Sequence, residues 1–183
     1  MKSATDFRSS YIANSVFNVF LCYTAIMLNS VTIYAIRKTA SLPKPLKTLL
    51  LSLAVSDLGV GFLEQPLYIS FLVMELKSRN ENDPESFNTM GSAVGFALPS
   101  TVHLFSLCSL FGVIALSADR FLAIHLHLRY QELVTHKRVV AVVISIWVFN
   151  AFLSLLQVWR PNMSAIVISI SLIVCVISTT FFI

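Results

Sequence analysis

Five stretches of this 183-residue chain are long enough to cross a bilayer and carry almost no charge. Tyr11 to Ile36 has none, and Thr48 to Met74 holds only Asp57 and Glu64. Phe87 to Ala118 has no formal charge and contains His103; Val139 to Trp159 and Pro161 to Ile183 are uncharged. About 20 apolar residues cross the hydrocarbon layer, and backbone amides there must bond inside their own segment. The runs therefore predict helices and an all-α, polytopic membrane bundle. A barrel would show short alternating segments, which are absent. Hydrophobic residues make up 56% and charged residues 12%, whereas a soluble domain is about a quarter charged. Disorder and an ordinary water-soluble enzyme are excluded on that ground.

The net charge of +4 reads as membrane topology, not as a nucleic-acid footprint, because of where the charges fall. Arg37, Lys38, Lys44 and Lys47 lie in one connection, and Arg120, Arg129, Lys137 and Arg138 in another two spans later. The opposite side mixes Lys2, Arg8, Lys77, Arg79 and Arg160 with Asp6, Glu75, Glu81, Asp83 and Glu85. Basic loops face the cytoplasm, so residues 1–10 are expected outside the cell. The first run is too long for a signal-peptide core and is read as a retained span. Ile183 still lies in apolar sequence with no charged anchor after it, so a truncated chain is expected, with a natural five-span protein as the alternative.

Polar groups at membrane depth are costly and usually functional. At about 1.5 Å per residue, Asn29, Asp57, Ser109 and Trp147 lie roughly 12–15 Å from the inner edge, each on a different span. Such a layer suits either a small hydrated cation, since hard cations take oxygen ligands, or a hydrogen-bond cluster joining helices. Higher up, Glu64 lies seven residues after Asp57, which on a regular helix is the same face. Glu64 and His103 stand roughly 24–25 Å from the inner edge, with Gln65 and Gln157 near that level. They line an outward-facing cavity or satisfy each other as a pair. Pro66 and Pro99 fall in the outer halves of spans 2 and 3 and kink helices there. Cys22, Cys108 and Cys175 sit in apolar runs and read as small apolar residues. The Asn162-Met163-Ser164 sequon abuts two spans and reads as unused.

The motifs taken together resemble the rhodopsin-like (class A) G-protein-coupled receptors. Leu53-Ala54-Val55-Ser56-Asp57-Leu58 looks like their LAxAD signature. Asp119-Arg120-Phe121, closing span 3, looks like DRY, and the run onward to Arg129-Tyr130 resembles the stretch that follows it. Asn29 and Trp147 match the family's span 1 asparagine and span 4 tryptophan. The resemblance implies a seven-helix receptor domain over residues 11–183, of which five helices are present, in the plasma membrane. It implies that Asp57 and Ser109 hold an allosteric sodium ion, supported by Asn29, and that no other cofactor is needed. It implies that Arg120 turns toward a heterotrimeric G protein, while Asp119 restrains it at rest. An extracellular ligand would bind among the outer halves, with Glu64, Gln65, Val102, His103 and Gln157 as candidates; receptor dimerisation is also implied. Val102 stands where amine receptors carry aspartate, which disfavours a biogenic amine. His127 replaces a loop proline, and Gly95 replaces a cysteine, so the family disulfide cannot form. A short second outer loop and no span 5 proline together resemble the melanocortin-type branch.

Lacking spans 6 and 7, these residues alone are not expected to signal. Two other readings stay open: a truncated partner that dampens full-length receptors, and an ion path through Asp57, Glu64 and His103. An enzyme is not expected, because no nucleophile–base or metal-ligand spacing emerges.

Overall fold

A computed structural model describes residues 2–81, 84–126 and 129–159, with 169, 173 and 177 singly. Side chains are described for 8–77, 93–126 and 129–156 of these and for those three positions. The predicted fifth span, Cys175, the sequon and the side chain of Gln157 lie outside the described residues, those single positions of the span apart.

Everything regular among the described residues is helical. Helix α1 runs Lys2–Lys38, beginning well before the predicted start at Tyr11. Residues 2–10 hold no proline or glycine to break it, so the polar start joins the helix. A short link containing Pro43 leads to α2, Lys44–Gly59. A π-helical turn, Val60–Glu64, then connects directly to α3, Gln65–Glu81. Helix α4 spans Pro84–Leu126, α5 is a single turn at Tyr130–Leu133, and α6 runs His136–Trp159. Among the described residues, four stretches are long and apolar enough to cross a membrane: Arg8–Lys38, Lys44–Lys77, Ala93–Leu126 and His136–Leu156. The helix of the third runs on past the expected end of span 3 at Ala118: Asp119-Arg120-Phe121 lies inside α4, which continues to Leu126 because no breaker follows Asp119.

The π-helical turn has a local cause. Pro66 has no N–H to continue the ladder, and one wider turn precedes it. There the Gln65 N–H reaches the carbonyl of Val60, five residues back, as a π turn requires. The kink expected at Pro66 is thus realised as an extra residue in the turn. That overturns the α-helical arithmetic placing Glu64 on the face of Asp57.

Helix α4 is central and touches α2, α3 and α6, while α1 lies against α2 and α3. Large apolar side chains point outward in number, including Phe20, Tyr23, Leu28, Val148 and Leu155. Lipid solvates such faces as well as a protein core would, so they do not pull the helices together. Close backbone approach and polar contacts do that here. A methyl group on Gly59 would overlap the ring of Phe105, and one on Gly61 would meet Ile26 on α1. Trp147, Asn150 and Ser154 recur on one face of α6 at helical spacing. Trp147 Nε1 donates to Ser52 Oγ at 3.0 Å, and its ring meets Phe105 edge-on at 6.4 Å. Asn150 is fully buried and reaches Cys108 Sγ at 3.5 Å. Ser154 Oγ donates to the Ser100 carbonyl at 2.7 Å. In a membrane each such bond contributes about 0.6 kcal/mol on average.

Candidate functional site

The candidate side chains fall at three levels along α4. The innermost is Asp119. Its side chain is 3% exposed, and the neighbouring Arg120 guanidinium lies 3.8 Å from Oδ2 with 52% exposure. The other oxygen, Oδ1, accepts a 2.7 Å hydrogen bond from the Tyr130 hydroxyl. Oδ2 has no hydrogen-bond partner, so the arginine restrains it by charge without a formed hydrogen bond. Burial, then the hydrogen bond to Asp119 and its negative charge, push the Tyr130 phenol up to about 12, with Arg120 pulling the other way. Phe121 stacks on His125 at 4.1 Å between ring centres. The resemblance gave Tyr130 no role, although it closes the quoted stretch; α5 is what folds it back onto α4.

Ten residues outward, Ser109 Oγ donates to Asp57 Oδ1 at 2.6 Å. Ser56 Oγ lies 2.9 Å from Ser109 Oγ and bonds its own helix at the Leu53 carbonyl, 2.7 Å away. The expected pairing of spans 2 and 3 at this depth is therefore present in the geometry. Asn29 does not join it. Its amide nitrogen donates to the Ala25 carbonyl of its own helix at 3.0 Å, and no hydrogen bond links it to Asp57. Trp147 also lies apart, bonded to Ser52 five residues nearer the inner edge. Ser52 and Ser56 were not singled out by sequence, though two serines four residues apart, one beside Asp57, mark a polar stripe on that helix.

The outermost level is a cavity of about 670 Å³ among α1, the start of α3 and α4. Glu64, Gln65, Val102, His103 and Pro99 line it, together with Asn14, Asn18 and Tyr68. Glu64 and His103 do not satisfy each other: Glu64 Oε2, Gln65 Oε1 and His103 Nε2 are all buried without a hydrogen-bond partner. Asn14 and Asn18 escaped notice in the sequence, although their four-residue spacing puts them on one face. Asn14 Nδ2 donates to Tyr68 Oη at 3.1 Å, and Asn18 Nδ2 to Asn14 Oδ1 at 2.7 Å. Pro66 is exposed and outside the lining, and its part is the turn that precedes it.

Sequence comparison places these features in context. Residues 28–182 match the family described as 7 transmembrane receptor (rhodopsin family). The chain is 27% identical over 167 residues to adenosine receptor A2b of Gallus gallus, covering 86% of this chain and 42% of that one. It is 34% identical over 115 residues to olfactory receptor 51A4 of Homo sapiens, covering 63% and 33%. It is 29% identical over 145 residues to 5-hydroxytryptamine receptor 1E of Cavia porcellus, covering 79% and 37%. The chain thus spans less than half the length of these relatives.

Proposed function

Because the chain belongs to the rhodopsin family of 7 transmembrane receptors, we propose that it senses an extracellular ligand in the outer cavity and passes the signal to a heterotrimeric G protein at the inner end of α4. The membrane is the plasma membrane and the N-terminus is outside, as the basic inner connections favour. The observation that carries this reading is the Asp119 cluster: a buried carboxylate braced by Tyr130, with a half-exposed arginine 3.8 Å away.

Such a pair is a cheap switch. Arg120 already stands half in solvent, so exchanging Asp119 for a partner protein desolvates little. With one partner buried and the other half exposed, the pair lies between the surface case of about 0–1 kcal/mol and the buried one; Tyr130 keeps one carboxylate oxygen bonded when Arg120 leaves, and a ligand can drive the exchange by favouring one packing of α4 over another. His103, in the cavity wall, lies sixteen residues from Asp119 on the same helix, about 24 Å. A shift of α4 at the cavity is therefore felt at the switch without an intervening loop. Asp57, Ser109 and Ser56 bring oxygen ligands, one of them charged, into a single cluster. That donor set fits a hard monovalent cation; Asp57 and Ser109 would hold sodium, which supplies a counter-charge in mid-membrane.

The test is capture of nucleotide-free G protein, a binding step short of signalling, by the full chain in lipid nanodiscs. Asp119→Asn frees Arg120 and raises capture by roughly fivefold, the equivalent of about 1 kcal/mol, while Arg120→Ala abolishes it. Equal capture by wild type and both variants would overturn the reading.

A further inference from the structure

Of the five tyrosines in this chain, Tyr11, Tyr23, Tyr34 and Tyr68 lie within spans 1 and 2. Tyr130 alone lies on a connection between spans, and in the orientation proposed above that connection is cytoplasmic. We infer that Tyr130 is a phosphorylation site, through which a tyrosine kinase withdraws Arg120 from the G protein. This rests on Arg120 being the coupling residue and adds the regulation of that contact.

The segment that carries the tyrosine is lightly held. Helix α5 is one turn of four residues, none of them buried, with no side-chain hydrogen bond at its start. Its backbone bonds run from the Leu133 N–H to Arg129 at 3.2 Å and from the Val134 N–H to Tyr130 at 2.8 Å. The Arg138 guanidinium donates to the Glu132 and Leu133 carbonyls at its end. A turn this short is marginal by itself, and the Tyr130 hydroxyl on Asp119 Oδ1 fastens it to α4. One turn and one side-chain bond open locally far more readily than a packed span. Arg129, Gln131, Glu132 and Leu133 are exposed already. In the open state the phenol oxygen attacks the γ-phosphorus of ATP in the kinase. The new O–P bond replaces the one to the β,γ-bridging oxygen, ADP leaves, and the phenol proton passes to the kinase's catalytic aspartate. Nothing is oxidised or reduced.

The product does not fit back where the hydroxyl was. A tyrosine phosphate carries about two negative charges, and the Asp119 carboxylate, 3% exposed, repels it. The hydroxyl and the Arg120 guanidinium face the two oxygens of that one carboxylate. A phosphate turned away from Oδ1 therefore stands close to Arg120. It offers bidentate hydrogen bonds, where Asp119 Oδ2 holds the guanidinium at 3.8 Å by charge alone. Exposed Arg129, next in sequence, supplies a second positive charge. Asp119 meanwhile loses the donor that lets it release Arg120. Both changes keep the arginine from a partner protein.

The full chain in nanodiscs is treated with magnesium–ATP and a tyrosine kinase catalytic domain of broad specificity, and phosphate is located by mass spectrometry. It is expected on Tyr130, and the kinase treatment leaves G-protein capture by Tyr130→Phe unchanged. Purified phosphorylated wild type captures nucleotide-free G protein roughly tenfold less than the untreated chain. Followed by phosphorus NMR, its phosphate titrates below the ordinary second value of about 6, because a neighbouring arginine favours the dianion, and rises in Arg120→Ala. No phosphate on Tyr130 overturns the inference. So does unchanged or stronger capture by the phosphorylated chain, or a phosphate whose titration Arg120→Ala leaves unmoved. If the untreated chain captures no G protein, the receptor reading fails by itself, and the phosphorus titration still decides whether the phosphate holds Arg120.

Discussion

Asp57 and Glu64 are seven residues apart on one membrane span, yet their surroundings differ in kind. Around Asp57, Ser109 and Ser56 hand hydrogen bonds from one helix to the next, and Trp147 ties α6 to Ser52 just below. Around Glu64, three buried acceptors stay unpaired beside a cavity of about 670 Å³. The first region uses polarity to join helices in a medium that gives them no hydrophobic reason to associate. The second leaves polar atoms unmatched inside the bundle. Polar residues at similar cost in lipid thus differ in kind by the partners around them.

The sharpest way to break this contrast is at the contact that brings α2 and α4 together. Gly59→Ala drives a methyl into the Phe105 ring, itself braced on Trp147, and should cost about 1–3 kcal/mol in unfolding from mixed micelles. No loss would mean that the inner region is looser than described. Trp147→Phe keeps an aromatic ring but deletes the bond to Ser52 and the packing of the rest of the indole; a loss of about 1–2 kcal/mol is expected from the bond and the space left behind, read in the same assay. Replacing sodium with choline should lower the wild-type melting temperature by about 2–4 °C, the equivalent of about 1 kcal/mol, and leave Asp57→Asn unmoved. On the outer side the sign reverses. Glu64→Gln should leave the melting temperature of the ligand-free chain unchanged or slightly raised, because it removes the charge from an unpaired buried carboxylate. A drop comparable to that of Trp147→Phe would erase the distinction between the two regions.

A last and smallest test addresses the inner edge. The Tyr130 phenol is pushed up to about 12 from an ordinary value near 10, so its protonated form is the one the fold favours. That stabilisation is complete below about pH 10 and is lost as pH rises through about 12. Ultraviolet difference titration of wild type against Tyr130→Phe should show this late transition. Asp119→Asn should move it part of the way back, since burial, the larger cause, remains.

Much of the fold is legible in the sequence because uncharged runs in lipid have few alternatives to helix. Helices long and apolar enough to cross a membrane cover the first four charge gaps, and they run past the expected ends because neither Lys2–Ser10 nor Asp119–Leu126 holds a proline or glycine to stop them. Depth arithmetic brought Asp57 and Ser109 together because helical rise is nearly constant. It failed for Asn29, since depth says nothing of azimuth, and its amide turned to Ala25. It misjudged the face of Glu64, since one proline altered the turn before it. Tyr130 was invisible for a different reason: its contact with Asp119 depends on a four-residue helix whose placement no periodicity announces.

The wide turn at Val60–Glu64 bears on how this protein is compared with its relatives. Every position beyond it is rotated by about 100° from where an unbroken α-helix would set it. Where a relative lacks the additional residue, an ungapped alignment will equate side chains that look in different directions, although each letter seems matched. Mutagenesis transferred by simple numerical offset would then probe the lipid boundary on one protein and the interior on the other. A one-position gap between Gly59 and Gln65 restores equivalence for the remainder of that helix.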